Sequence, residues 1–264
     1  MRKFGMIGGG MMGEALLSRL LAQKVFESSA IIVSEPAEAR QDYLAQQYQV
    51  QVTSENQQAA ESEIVLLAIK PQIFPTVAKE LAGQQSSALI ISILAGTTLN
   101  QLEAVFPGQP VIRAMPNTPA AVGAGITVIA GGQYAEQHHI EQATQILGTV
   151  GKVVEVPESM LDAVTGLSGS GPGYIAIVIE ALADGGVAAG LPRAIAMELA
   201  IQTVKGTAQL LESEGIHPGV LKDRVTSPGG TTIAGISQLE KAGVRSAFIE
   251  AVRAAVERSK ELGK

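Results

Sequence analysis

The chain contains no cysteine and no tryptophan. Without thiols there is no disulfide framework, no thiolate nucleophile and no zinc–thiolate site. Histidine is nearly as scarce: only His138, His139 and His217 occur. Adjacent residues do not share a helix face, so no metal site is expected from them. Positive charge is in deficit, with 19 Lys and Arg against 25 Asp and Glu and a formal net charge of -6. No basic stripe is available to neutralise phosphates, and nucleic acid is not an expected partner. Long apolar runs are missing too. The stretch 175–179 is soon interrupted by Glu180 and Asp184, well short of the roughly 18 residues that a membrane span needs. The start, Met1-Arg2-Lys3-Phe4-Gly5, lacks the apolar core of a secretory signal. The expectation is a cytoplasmic protein without membrane attachment.

What is present is a chain of 264 residues that is 46% apolar and 17% charged, enough to bury one large core or two modest ones. Short apolar runs at 4–7, 31–33, 64–69, 89–93, 111–114, 126–130 and 153–156 read as strands. Between them lie helical patterns. Met12, Leu16, Leu17 and Leu20 recur at helical spacing, and Pro36 and Pro71 are expected to open two further helices. The continuous run 64–69 is the mark of a strand covered on both faces. Strands alternating with helices predict a parallel, doubly wound α/β sheet, with the strand-to-helix turns along one ligand-binding edge.

The pattern changes near Glu158, and no strand is expected beyond it. Pro192 follows Gly190-Leu191 and reads as a first helical residue. Residues 193–211 are apolar on several faces: Ile195, Leu199 and Leu210, but also Met197, Ile201 and Val204. A helix apolar all round is buried. About 105 helical residues alone offer little to bury it against. A second copy of the chain is the direct solution; packing on the chain's own first domain is the alternative. The boundary is expected near 156–159.

Gly8-Gly9-Gly10-Met11-Met12-Gly13 fits G-x-G-x-x-G. Among 29 glycines the pattern is weak alone, but here it follows a strand and opens a helix. Gly8 permits the tight turn, Gly10 lets a pyrophosphate approach the backbone, and Gly13 lets helix and strand pack closely. The helix N-terminus adds amide donors and a positive dipole end. An ordinary glycine-rich loop is the bland alternative. The second strand ends Val33-Ser34-Glu35. An acidic residue roughly 20 positions past the glycines binds the ribose 2′-OH in such motifs and favours NAD. Glu35 fits, although a charge placed at a helix start beside Pro36 accounts for it equally well. Ser34 and Arg40 point the other way, toward holding a 2′-phosphate.

Four further segments are specific in combination. Lys70-Pro71-Gln72 and Met115-Pro116-Asn117-Thr118-Pro119 each follow a strand. Residues 162–172 read D-A-V-T-G-L-S-G-S-G-P, and 227–232 read S-P-G-G-T-T. In this order, after a dinucleotide fingerprint, they closely resemble the pyrroline-5-carboxylate reductase family over essentially the whole chain. The resemblance implies a Rossmann-type dinucleotide-binding domain, residues 1–157, followed by an all-helical dimerisation and substrate domain, residues 158–264. It implies a homodimer through interlocked helical domains, with dimers assembling into a decamer. The implied reaction is reduction of 1-pyrroline-5-carboxylate to L-proline, the last step of proline biosynthesis. The hydride comes from NADPH, with NADH as the alternative donor. The implied active site lies between the cofactor domain of one chain and helices of the dimer. The resemblance and the fingerprint together assign cofactor contacts to Ile7, Gly8, Gly9, Gly10, Met11, Met12, Gly13, Ser34, Glu35, Asn56, Ala68, Ile69, Lys70, Pro71, Leu94, Ala95, Gly96 and Asn117. Substrate contacts fall on Glu158, Ser227, Gly230, Thr231 and Thr232. Thr232 is the implied hydroxyl beside the imine nitrogen. Lys70 is an electrostatic or cofactor contact, or else a solvated lysine at a strand end.

The second motif also has a physical reading of its own. Pro228-Gly229-Gly230 breaks the chain before a helix carrying Ile233, Ile236 and Leu239. Amides at that helix start suit a small carboxylate; the alternative is that Thr231 and Thr232 merely cap it. Reducing a C=N bond needs a hydride and a proton, which accounts for a sequence without an evident nucleophile or catalytic histidine. Two residues depart from the family pattern. Gly173 stands in place of the usual alanine, and Arg224 stands where some members place asparagine. The rival enzyme reading is a β-hydroxyacid dehydrogenase or another imine reductase, families that generally place a catalytic lysine or aspartate on the first long interdomain helices. Residues 174–190 offer Glu180 and Asp184 but no lysine, which weakens the hydroxyacid version. A non-catalytic cofactor sensor has no need of the polar motif at 227–232.

Overall fold

A computed structural model describes residues 2–83 and 87–263 of the chain. Met1 and Lys264, the outer ends of the two expected domains, lie outside the described residues. Eight strands form one sheet: Phe4–Ile7 (β1), Ile31–Ser34 (β2), Gln51–Thr53 (β3), Ile64–Leu67 (β4), Leu89–Ser92 (β5), Val111–Met115 (β6), Gly125–Gly131 (β7) and Gly151–Glu155 (β8), in the order β3-β2-β1-β4-β5-β6-β7-β8. Helices Met11–Ala22 (α1), Glu38–Tyr48 (α2), Asn56–Ala60 (α3), Phe74–Leu81 (α4), Leu99–Val105 (α5) and Gln137–Leu147 (α6) lie between them. Strands β1, β2, β4 and β5 are buried along their whole length, because helices cover both faces of a parallel sheet.

Alternation along each strand divides the core in two. Met6, Val33, Leu66 and Ile91 pack with Leu16, Leu17 and Leu20 of α1 on one face. Ile7, Ile32, Val65 and Ile90 pack with Phe74, Val77 and Leu81 of α4 on the other.

The sheet is not wholly parallel. β7 runs antiparallel to β6, with Ile112 opposite Gly131 and Met115 opposite Val128. The reason is local. Parallel neighbours need a crossover of a dozen or more residues, and segment 116–124 is too short for one. It makes a single 3₁₀ turn, Thr118–Val122, closed by Gly123 at φ 73°. β8 then returns parallel to β7. Two proline expectations shift as well. Glu38 opens α2 behind Ala37, so Pro36 precedes the helix. Pro71 opens a 3₁₀ turn, Pro71–Ile73, ahead of α4.

The chain divides into two compact units. Residues up to Ser170, together with those from Ala254 onward, form one, and Gly171–Arg253 forms the other. This division falls later than the expected 157/158 boundary. The short helix Leu161–Val164 (α7) explains the difference, because Leu161 is buried in the sheet's own core. A π-helical turn, Thr165–Gly169, follows it. From the chain's other end, Ser259 Oγ donates to Asp162 Oδ1 at 2.7 Å.

The second unit holds Gly171–Ala188 (α8), Arg193–Glu214 (α9), Pro218–Arg224 (α10), Thr231–Lys241 (α11) and the first part of Val244–Leu262 (α12). Beyond β8 the described residues contain no strand. Pro192 is the N-cap of α9, and Arg193 is the first helical residue. The buried core of this unit is small: Ala183, Ala196 and Ala200. A Cβ on Gly186 would lie 3.1 Å from that of Ala196, so α8 and α9 approach closely. Larger apolar side chains, Ile177, Leu182, Ile195, Leu199 and Ile201 among them, are exposed in the single chain. Arg224 pairs with Glu214 inside this unit.

Candidate cofactor and substrate sites

The carboxyl ends of β1, β2 and β4 frame a cavity of about 450 Å³ lined by Gly8, Gly10, Ser34, Glu35, Asn56, Ala68, Ile69, Lys70 and neighbours. The strand order reverses direction between β1 and β4, and such a switch point opens a crevice for ligands. Each fingerprint glycine has its own geometric reason. Gly8 sits at φ 103°, and a Cβ there would lie 2.7 Å from the Ala68 carbonyl oxygen. A Cβ on Gly13 would lie 2.5 Å from the Gly8 carbonyl oxygen and 3.0 Å from Met6 Sδ, so only glycine lets α1 approach β1. At Gly10 a Cβ would meet nothing within 4 Å. Gly10 is the N-cap of α1 and has no side-chain acceptor of its own. These features fit a diphosphate, which needs backbone amides and room to approach them.

Ser34 and Asn56 are brought together. Ser34 Oγ donates to Asn56 Oδ1 at 2.7 Å, and Asn56 Nδ2 donates to Glu80 Oε2 at 2.7 Å. Glu35 is held by two backbone amides, one in the glycine turn and one just ahead of α2. Its Oε2 accepts from Gly9 N at 3.0 Å and its Oε1 from Ala37 N at 3.2 Å. Arg40 does not line the cavity. It donates from Nε to the Gly9 carbonyl at 2.7 Å and pairs with Glu14. Tyr43 and Tyr48 donate to the other Glu14 oxygen at 2.9 and 2.8 Å. Burial raises the Glu14 carboxyl, but the hydrogen bonds from Arg40, Tyr48 and Tyr43 and the Arg40 charge outweigh it. The net result lies below the ordinary carboxylate value. The Tyr48 hydroxyl is pushed up by burial and by its bond to Glu14.

The other expected contacts are more scattered. Ile7 is buried and accepts from Ala68 N at 2.8 Å, which fixes the loop that leads to Lys70. Gly9 and Met12 belong to the fingerprint turn and helix, and Met11 stands 90% exposed at the head of α1. Pro71 follows Lys70 in the 3₁₀ turn. Leu94, Ala95 and Gly96 form the turn after β5, with Gly96 at φ 77° close to the backbone of Leu262. The amide of Asn117 is committed to the fold: Oδ1 accepts from Ile126 N at 3.0 Å and Nδ2 donates to the Ser168 carbonyl at 3.2 Å. Sequence reasoning missed Pro36, Ser54, Ile73, Thr76, Val77 and Glu80 in the cavity wall. Ile73, Thr76, Val77 and Glu80 carry the i, i+3, i+4, i+7 spacing of one helix face, a signal that was available.

One Glu158 oxygen, Oε1, accepts from Leu99 N at 2.6 Å and from Arg113 Nη1 at 2.9 Å. In the second unit, Ser227 to Gly230 form a turn, with Gly230 N donating to the Ser227 carbonyl at 3.0 Å and Gly229 at φ 69°. Gly230 is the N-cap of α11, without a side-chain cap, so Thr231 and Thr232 are its first helical residues rather than caps. The turn therefore presents amides and two hydroxyls at one helix start. Among the described residues no group of three His, Cys, Asp or Glu side chains is arranged to hold a metal. No helix among them is long and apolar enough to cross a membrane.

Comparisons with known proteins agree along the whole chain. Residues 158–262 match the family model described as pyrroline-5-carboxylate reductase dimerisation, and residues 3–96 match one described as NADP oxidoreductase, coenzyme F420-dependent. A pyrroline-5-carboxylate reductase of Synechocystis is 58% identical over 99% of this chain and 98% of its own. That of Arabidopsis thaliana is 44% identical over 98% and 95%. Among solved structures, a pyrroline-5-carboxylate reductase from Coxiella burnetii superposes with a TM-score of 0.92 at 34% identity, covering 100% of this chain and 99% of that one. The Plasmodium falciparum pyrroline carboxylate reductase, solved with NADP bound, gives 0.90 at 30% identity over 99% and 98%.

Proposed function

The chain belongs to the pyrroline-5-carboxylate reductase family, and from that premise we propose which of its residues carry the reaction. The protein is an NAD(P)H-dependent oxidoreductase that reduces 1-pyrroline-5-carboxylate to proline. The observation that carries the assignment of residues is the open glycine turn at the switch point, where Gly8 and Gly10 face a cavity of about 450 Å³.

Gly10 gives its backbone amide to the diphosphate at the head of α1, and Gly8 and Gly9, whose amides are held by Ser34 and Glu35, shape the turn it approaches. Ser34, Glu35 and Asn56 take the adenosine ribose end. Ala68, Ile69, Lys70, Pro71, Leu94, Ala95 and Gly96 flank the remainder of the cofactor, and Lys70 offsets its negative charge. Bound NAD(P)H supplies a hydride from C4 of the nicotinamide. Ser227, Gly230 and Thr231 hold the substrate carboxylate on the amides of α11, and Thr232 lies at the imine nitrogen. A hydroxyl is a weak acid, so Thr232 relays a proton from water or orients an already protonated iminium. The protein's contribution is position and polarity rather than a covalent step.

The same reading makes the chain the last enzyme of proline biosynthesis, acting in the cytoplasm. It works as a homodimer through the apolar faces of α8 and α9, and as a decamer of such dimers. The test is the initial rate of cofactor oxidation with 1-pyrroline-5-carboxylate, NADPH and NADH in parallel. Rapid turnover is expected with at least one donor. Binding of both without turnover of this imine overturns the proposal.

A further inference from the structure

Two successive peptides of the fingerprint turn are held by charged side chains from neighbouring elements. Glu35 Oε2 accepts the Gly9 N–H at 3.0 Å, and Arg40 Nε donates to the Gly9 carbonyl at 2.7 Å. In a trans peptide the carbonyl and the next N–H point in opposite directions. A Gly9 carbonyl drawn toward Arg40 therefore turns the Gly10 N–H away from Arg40. Gly10 is the residue whose Cα faces open space and lines the cavity.

Arg40 is itself held. Its guanidinium pairs with Glu14 and lies 4.9 Å from the centroid of the Tyr43 ring. Glu14 also accepts from Tyr43 and Tyr48. Glu14 lies in the first turn of α1, beside the place where the cofactor's own negative charge would sit. Pairing it with a cation and two hydroxyls keeps its carboxylate oxygens directed at α2.

We propose that Arg40, held by Glu14, is a positioning residue that fixes the Gly9–Gly10 peptide for the diphosphate, and that it serves NADH and NADPH alike rather than reading the 2′-phosphate. The proposal rests on the reading of this turn as the cofactor site. Arg40 is absent from the cavity lining, whereas Ser34, Glu35, Pro36 and Ser54 are present. Its fork of donors is already divided between a carboxylate and a carbonyl, a geometry that lysine's single ammonium reproduces poorly.

The test measures dissociation constants for NADH and NADPH with the full-length protein, and kcat and KM where turnover is seen. Wild-type protein that binds neither cofactor removes the premise and is read separately from the variants. Given wild-type binding, Arg40→Met is expected to weaken both cofactors by the same factor, about tenfold for a lost charged hydrogen bond. kcat at saturating cofactor should fall far less than affinity. Weakening of NADPH alone would show that Arg40 binds the 2′-phosphate and would overturn the proposal, as would no change in either constant. The double variant Glu14→Gln/Arg40→Met separates clamping from charge neutralisation. Binding that stays weak supports the clamp, and recovery to wild type overturns it. If Arg40→Met does not fold, Tyr48→Phe carries the test, since it removes one bond to Glu14 and leaves the turn itself intact. A parallel two- to threefold loss for both cofactors is then expected; no loss, or loss for NADPH alone, rejects the clamp.

Discussion

Glu158→Ala should unfold the protein at a lower temperature before it changes substrate binding. Arg113 lies in the middle of β6, between Ser92 and Ala130 on the neighbouring strands. Its side chain is 8% exposed, against 30% for Glu158. Removing the carboxylate leaves a buried guanidinium without its 2.9 Å partner and leaves the first amide of α5 without its 2.6 Å acceptor. Breaking a fully buried pair from one side costs about 3–5 kcal/mol. Water reaches Glu158, so roughly 2–3 kcal/mol is the better figure here. At about 2–4 °C per kcal/mol for a chain of this size, Tm should fall by roughly 4–12 °C. The assay is thermal unfolding followed by circular dichroism at fixed protein concentration, because an oligomer's Tm depends on it. Arg113→Met/Glu158→Leu should recover much of the loss, since an apolar pair leaves no stranded charge. A Glu158→Ala protein with an unchanged Tm and a raised KM for 1-pyrroline-5-carboxylate refutes the reasoning and makes Glu158 a substrate contact.

Gly13→Val should cost about 1–3 kcal/mol through overpacking against the Gly8 carbonyl and Met6, seen as a lower urea midpoint together with weaker cofactor binding. Thr232→Ala should lower kcat while leaving the cofactor dissociation constant nearly unchanged; equal loss of both places Thr232 in the fold instead. Ile177→Glu puts a charge on a side chain that is 66% exposed in the single chain, and sedimentation velocity should show dissociation to protomers. An unchanged oligomer would remove that face of α8 from the interface. His139 has its pKa lowered by burial and by His138, and its Nδ1 accepts from Glu136 N at 3.0 Å. Between the depressed folded value and the ordinary one near 6.5 the unfolded chain binds more protons. Stability should therefore fall as pH drops below that ordinary value. His139→Gln should flatten this slope in urea titrations at pH 7.5 and 5.5.

The parts of the fold that could be read from sequence are those whose cause is local. Residues 64–67 announce a doubly covered strand because every side chain there is apolar and buried. The glycine turn is legible because the positive φ of Gly8 and the close packing of Gly13 on Gly8 and Met6 arise within one strand–turn–helix unit. Gln51–Thr53 escaped notice for the opposite reason. It is an edge strand, exposed to half-buried, with no apolar alternation to mark it. The reversal of β7 was readable from the length of segment 116–124 but was masked by the alternation of strands and helices around it.

Polar partners are a different matter, and they limit what the sequence says about the site. Arg40 and Glu35 both carried sound local arguments about the 2′-position of the cofactor. Neither argument could include Gly9, whose peptide groups take up both side chains. Asn117 likewise reads as a contact on the ligand edge until its two amide ends are found on Ile126 and Ser168. Apolar periodicity survives in a sequence because any apolar neighbour will do. A hydrogen bond needs one particular partner at one distance, and here those partners lie in other elements of the chain. A charged residue near a binding motif is thus weak evidence for a ligand contact until the backbone groups within its reach have been counted. By that standard Gly10 and the start of α11 are the better-supported contacts, because neither has a side chain from its own N-cap to satisfy its amides.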